Sequence, residues 1–524
     1  MSKIKKPGVY INEINALPNS VVPVATAIPA FIGYTPRVKF KQKSYKNIPQ
    51  KITSFAEFKA IYCYSDLPKA LDPAKQYSPE YYLVKQMSQP KKGDYVMIEG
   101  SYYLILPDPN TIYYLYNSIR LFFDNGGGAA YIVSVGTYGK PSKKPIKAGE
   151  QIVNQNVQLN ALINGVASLK NEEEPTMYIC PEATLLSLED NGTLMQEMLL
   201  QNTEVQRAIS IFDVIGGRNP DPILYTQDIA NFRNNTGSIG LSYGAAYYPF
   251  IGTTIMNSSD VDFTNLFGGD ISQLEQLINP AEKTNPALTK IFKDILNPSK
   301  RISVTQYHNA LLSSSKNYST IITALLKAIN VMPPSAALAG VITTTDNQEG
   351  VWKAPANISI VGAVSLPIKL TDNQQEGLNV DPVSGKSINA IRFFNGQGIL
   401  IWGARTLDGN SGDWRYLPVR RTLIFLETSC KMATRAYVFE PNDKNTWDSI
   451  KSAISNFLTD IWKAGGLQGA SASDAFSVQC GLGTTMTTDD LENGILIVSV
   501  SVAVTHPAEF IVFSIEQQMA TSDD

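Results

Sequence analysis

Residues able to carry chemistry are sparse in this 524-residue chain and stand apart from one another. Its two histidines, His308 and His506, fall into no Ser/His/Asp or metal-ligand pattern, and isolated histidines of this kind read as structural. Asp489, Asp490 and Glu492, ahead of Gly494, have the donor type for a cation, but their place just before an apolar strand reads more simply as a solvated turn. Cys63, Cys180, Cys430 and Cys480 form no Cys-x-x-Cys pair, which suits reduced thiols better than a disulfide framework or zinc. Gly126-Gly127-Gly128 raises the question of a phosphate-binding turn. Such a turn needs Gly-x-x-x-x-Gly-Lys-Ser/Thr, or Gly-x-Gly-x-x-Gly between strand and helix, and here the helix comes first. Lys140, Lys143, Lys144 and Lys147, between prolines, read as a solvated loop rather than an anion site. No catalytic residue, cofactor or metal is expected, and an α/β nucleotide-binding enzyme is the distant alternative.

The totals point the same way. Forty-four basic and 47 acidic residues leave a net charge of −3, so nucleic acid is not an expected partner. Charged residues make up 17%, against about 25% in typical soluble domains, which leaves surface suited to protein partners. Residues 1–15 lack the apolar stretch of a secretion signal. The most apolar segment, Ile495 to Val504, is too short to span a bilayer, so no direct membrane insertion is expected.

These residues are held by elements of two kinds. Ala30 to Gly33, Ala130 to Val135, Met177 to Cys180 and Ala208 to Asp213 read as buried strands. Helical pattern lies between them, including Tyr116 to Phe123, which predicts a partly parallel α/β sheet. Ser54 to Ala60 reads as a helix and Tyr95 to Leu106 as a hairpin, while Tyr318, Ile321, Ile322, Leu325 and Ile329 share a helix face. Towards the end, two amphipathic helices carry Val419, Leu423, Leu426, Cys430 and Ala433, and Trp447, Ile450, Ile454, Phe457 and Ile461. Asn445 or Thr446 is the expected cap of the second. Leu496 to Val504 predicts a half-buried strand, and Phe510 to Ile515 a further one. At the other end, Val9, Tyr10, Ile11, Asn12, Glu13 and Ile14 read as a lone strand. Its backbone groups need a sheet in this chain or a neighbour's.

In order along the chain, Pro7-Gly8-Val9-Tyr10, Thr26-Ala27-Ile28-Pro29-Ala30-Phe31-Ile32-Gly33 and Phe122-Phe123-Asp124-Asn125-Gly126 form a recognisable series. It continues through Pro333-Pro334-Ser335-Ala336-Ala337-Leu338-Ala339-Gly340, Gly350-Val351-Trp352, Trp402-Gly403-Ala404-Arg405-Thr406-Leu407 and Val419-Arg420-Arg421. Phe439-Glu440-Pro441-Asn442 and Pro507-Ala508-Glu509-Phe510 close it. The sequence resembles the tail sheath proteins of contractile phages and of related contractile injection systems. Cys63 to Thr111 and Asn257 to Ile329 depart from that pattern and look like variable decorations.

The resemblance implies α/β and α+β architecture, with an extended N-terminal arm at 1–23 and an outer α/β domain at 24–344 carrying insertions at about 63–111 and 257–329. An inner mixed α+β domain at 345–515 and a C-terminal tail at 516–524 complete the expected organisation. It implies a structural subunit that self-associates into stacked hexameric rings as a six-start helix around an inner tube protein, with baseplate and cap proteins at the ends. Assembly would take place in a bacterial cytoplasm, and the particle would be released, membrane-anchored or a virion tail. Strand exchange between subunits would use Val9, Tyr10, Ile11, Asn12, Glu13 and Ile14 at one end and Phe510, Ile511, Val512, Phe513 and Ile515 at the other. Lys451 and Lys463 are either tube contacts or part of a plain solvated face. A minor sheath paralogue near the baseplate or cap is the alternative.

Overall fold

A computed structural model describes residues 21–64, 77, 79–298 and 303–512. It divides the chain into two compact units, one of residues 25–421 with the segment from 506 onward, the other of 422–505 with the described residues 21–24.

The first unit is built on a nine-stranded sheet. Its order is Ile358–Ser359, Gly398–Trp402, Asn389–Phe394, Gly244–Tyr248, Ile209–Asp213, Met177–Ile179, Pro29–Thr35, Ala130–Thr137 and Gln50–Ile52. The six strands from Asn389–Phe394 to Ala130–Thr137 run parallel, and antiparallel strands flank them. Four of the six, Pro29–Thr35, Met177–Ile179, Ile209–Asp213 and Gly244–Tyr248, are buried along their whole length, as a sheet covered on both faces requires. The strands expected from sequence at residues 30, 130, 177 and 208 are all present, each within a residue or two of its expected limits.

Several of the family-like words find their reasons in this unit. The helix Ser335–Glu349 starts where Asp213, buried at a strand end, accepts hydrogen bonds from Ser335 N–H at 2.8 Å and Ser335 Oγ at 2.6 Å. Burial pushes the Asp213 carboxyl up to about 7, against the pull of the two Ser335 hydrogen bonds. Glu182, also fully buried, is pushed up to about 7 by the same cause. Gly340 lets this helix cross the end of the helix Leu115–Asp124, since a Cβ there would stand 2.6 Å from the Phe122 carbonyl oxygen. Gly126, with φ +86, ends that second helix as a turn residue against Thr344. Arg421 closes a buried, bidentate ion pair with Asp346 at 2.8 and 2.6 Å.

The division expected at 344/345 therefore falls inside a helix. The strands Ile358–Ser359, Asn389–Phe394 and Gly398–Trp402 belong to the same sheet as those before residue 250, and the compact units part at 421/422 instead. The two variable stretches also meet. The three-stranded sheet of Tyr81–Gln86, Ser101–Pro107 and Tyr95–Ile98 packs on the helix Lys316–Ile329. Asn265 Nδ2 donates to the Pro79 carbonyl at 2.8 Å, and half-buried Arg218 bridges the two stretches by donating to Tyr81 Oη at 3.3 Å and to the Ala328 carbonyl at 2.7 Å. What reads in sequence as two insertions is thus one appendage.

The second unit contains the later part of the helix Leu417–Thr434, the helix Lys444–Lys463 and a two-stranded antiparallel sheet of Phe476–Gln479 and Ser499–Val502. The helices meet through Phe425 and Phe457, whose rings stand edge to face at 5.8 Å. The cap of the second helix is Asp443, which accepts from the N–H groups of Asn445 and Thr446 at 2.9 and 3.1 Å, rather than either of those residues. Carboxylate oxygens outcompete amide and hydroxyl oxygens here because they face the positive end of the helix. Asp490 closes a capping box with Thr487 at the start of the short helix Thr488–Glu492, which accounts for part of the acidic cluster. Among the described residues no group of His, Cys, Asp and Glu could hold a metal ion, and no helix is long and apolar enough to cross a membrane.

Candidate functional site

Two strands with nothing further paired to them make an incomplete sheet, and this is the most distinctive property of residues 422–505. Two-stranded pairs are marginal by themselves. Among the described residues, Phe476–Gln479 and Ser499–Val502 pair only with each other, so each keeps an outer row of backbone groups free of strand partners. The strand expected from Leu496 to Val504 is formed only over Ser499–Val502. Ile495, Ile497 and Val500 are exposed, while Val504 is buried where Leu467 bridges it. On the face of Leu496, Val498, Val500, Val502 and Val504, all but Val500 are at least half-buried, as the alternation predicted.

The Phe439-Glu440-Pro441-Asn442 word belongs to this region. Asn442 accepts from Trp447 Nε1 at 2.7 Å and donates through Nδ2 to the Ile495 carbonyl at 3.0 Å, so the start of the Lys444–Lys463 helix is tied to the chain entering the strand. On that helix, Lys451 is engaged by Asp448 at 2.7 Å, whose carboxyl is held below its usual value by that hydrogen bond. Lys463 is exposed in the last turn. The two lysines are not brought to one shared partner.

The ends of the chain converge on different supports. Val9, Tyr10, Ile11, Asn12, Glu13 and Ile14 lie outside the described residues, but the segment that follows them is placed with this unit. Val21 is buried, and Val24 N–H donates to Ser429 Oγ at 3.2 Å. Among the described residues of the apolar run that predicted a strand, Phe510, Ile511 and Val512 are 71%, 72% and 87% exposed and form no strand. Phe513 and Ile515 lie outside the described residues.

Just before that run stands a group that sequence reasoning did not assemble. Glu509 accepts from Arg405 Nε at 2.9 and 3.1 Å and from Arg405 Nη2 at 2.5 Å. Asn379 Nδ2 and Tyr416 Oη donate to it at 2.9 and 3.1 Å. Burial works to raise the Glu509 carboxyl, but the hydrogen bonds from Arg405, Asn379 and Tyr416 and the Arg405 charge prevail, and it is held below the usual range. Arg405 is itself fixed, its N–H donating to Asn389 Oδ1 at 2.8 Å and its carbonyl accepting from Asn389 Nδ2 at 2.9 Å. The words containing Arg405, Tyr416 and Glu509 were visible in the sequence, but nothing in a spacing of 104 residues pairs them.

Comparison with known proteins follows the same outline. Residues 284–407 match the phage tail sheath protein central domain, and residues 410–518 match the phage tail sheath C-terminal domain. The two matches follow one another in the second half of the chain. The tail sheath proteins of Vibrio phage KVP40 and Enterobacteria phage T4 are 29% and 24% identical over 142 and 139 residues, 26% of this chain in each case. The matched part spans 20% of the length of each of those phage proteins. Over the whole fold, the chain is similar to the sheath of an extracellular contractile injection system, PVC, in its contracted state. The TM-score is 0.57 at 23% identity, covering 99% of both chains. It is likewise similar to the contracted helical sheath of the anti-feeding prophage, with TM-score 0.55, 24% identity and coverage of 98% and 100%. The mixed α/β fold is thus that of sheath proteins from end to end.

Proposed function

We propose that this chain is the structural subunit of a contractile sheath, polymerising helically around an inner tube and contracting to drive that tube through a target envelope. The observation that carries the reading is the ordered pair of sheath domains over 284–407 and 410–518, within a fold similar along its whole length to contracted sheaths. The open two-stranded sheet and the exposed Phe510 to Val512 support a particular joint: each subunit lends a terminal strand to a neighbour's sheet and receives one in return. Backbone hydrogen bonds give connection, and alternation of side chains gives register. Val9 to Ile14 would supply the second strand, and residues 422–505 the inner layer.

Contacts that are heterologous and do not close generate a helix, here hexameric rings stacked as a six-start array between baseplate and cap. Contraction then needs no nucleotide. Burying about 40 Å² more apolar surface per subunit, at about 25 cal/mol/Å², gives about 1 kcal/mol, multiplied along the whole polymer. The reading gives the protein a structural rather than a catalytic role, in a phage tail or a released or membrane-anchored particle assembled in the cytoplasm. Negative-stain microscopy of the purified chain tests it: striated hollow cylinders are expected, and monodisperse globules under all assembly conditions would reject it.

A baseplate-proximal paralogue is a second reading, favoured by similarity to a chain in the anti-feeding prophage baseplate, with TM-score 0.56 and 24% identity. Copy number along the particle separates the two.

A further inference from the structure

We propose that the Arg405–Glu509 pair is the anchor of the C-terminal arm, fixing the point from which the lent strand is launched. This rests on the reading of the chain as a subunit that lends its C-terminal strand. Glu509 is the residue immediately before exposed Phe510, so the held and the free parts of the segment meet there. The Arg405 side chain is 4% exposed, and that of Glu509 20%. A guanidinium fork closed on a carboxylate in so dry a place fixes direction as well as position. Asn379 and Tyr416 take up the remaining lone pairs of the carboxylate. A third arginine contact, Nη1 to the Asn379 carbonyl at 3.3 Å, joins the far side of the fork to the same support.

The anchor also has a foundation. Through the reciprocal Asn389 bonds, Arg405 is secured to the strand Asn389–Phe394, which runs parallel to Gly244–Tyr248 in the nine-stranded sheet. A pull on residues 510 onward by a neighbouring subunit is therefore resisted by that sheet rather than spent on unravelling the segment from 506. Glu509 is a positioning residue: without it the arm would keep its sequence and lose its fixed origin.

The experiment uses the full-length chain as wild type, Glu509→Gln and Glu509→Asp, and with residues 510–524 deleted. Spin labels at residues 376 and 511 report the spread of arm positions in the monomer, melting reports the fold, and microscopy counts sheaths. Glu509→Gln should melt near wild type, broaden the label distance distribution roughly twofold and lower the yield of full-length sheaths roughly tenfold. Glu509→Asp, which keeps the carboxylate, should recover a large part of both. Wild-type sheath yield from Glu509→Gln would overturn the anchor, as would a broadened arm with normal assembly. Should Glu509→Gln melt early, Tyr416→Phe removes one hydroxyl contact only, and it must show the same paired changes on a smaller scale or the anchor is wrong. Normal sheaths from the deletion would instead remove the C-terminal arm reading on which the anchor rests.

Discussion

The nine-stranded sheet and the two-stranded sheet are made from similar residues and end in opposite conditions. In the first, Phe31, Ile32, Ile132, Ile179 and Ala245 are completely buried, with helices such as Leu115–Asp124 and Ser335–Glu349 covering strands whose every position faces protein. In the second, valine alternates with serine as a strand should, yet Val500 on the valine face and Ile495 and Ile497 on the serine face remain exposed. The same β-branched chemistry is fully covered in one place and partly exposed in the other. Under the proposed strand exchange, a subunit built this way would fold before it assembles, and what it exposes would define the joint.

The contrast can be broken by experiment, most forcefully at the ends. Deleting residues 1–20 should leave a folded chain with a wild-type melting curve and abolish sheath formation; normal cylinders by electron microscopy would refute the exchange of the N-terminal arm. Next in size is Phe122→Ala beneath the large sheet, where the ring is fully buried and edge to face with Phe31 at 5.3 Å. That change should cost about 3–5 kcal/mol in urea unfolding. Val500→Lys in the small sheet should cost under about 0.5 kcal/mol by the same measurement, yet strongly reduce polymer yield, because lysine on an open strand discourages pairing. Equal losses at the two positions would end the comparison. Reversing Lys451 and Lys463 to glutamate should leave melting unchanged and weaken pull-down of the tube protein, and unchanged pull-down would return both lysines to the solvated face.

A further effect concerns pH. The Asp213 carboxyl sits at about 7 when folded and near 3.9 in an unfolded chain, so the folded state binds its proton more tightly. Between those values the folded chain takes up a proton that the unfolded chain does not hold, and this contribution favours folding as pH falls from about 7 towards 4. Asp213→Asn should flatten that part of the stability profile measured by denaturant titration.

Much of this was legible in the sequence because local pattern and global fold agree. Ser54 caps its helix, the alternation and runs at 30, 130, 177 and 208 mark strands, and Tyr318 to Ile329 line one buried helix face. The domain border was not legible, since a parallel sheet gathers strands from distant sequence and nothing in residues 345–402 announces that they complete a layer begun at residue 29. The meeting of the two variable stretches escaped for the same reason. Arg405 and Glu509 each stood in a recognisable word, but an ion pair is a fact about two places at once, and one sequence specifies only each place.

The large sheet stops at Gln50–Ile52 on one side and at Ile358–Ser359 on the other, strands of three and two residues. Such stubs offer almost no ladder to an incoming chain. In the proposed polymer, a stray terminal strand would find a shorter ladder at the edges of the big sheet than along the four-residue strands of the small one. Under that reading, fidelity of polymerisation would rest on the places where strands are short.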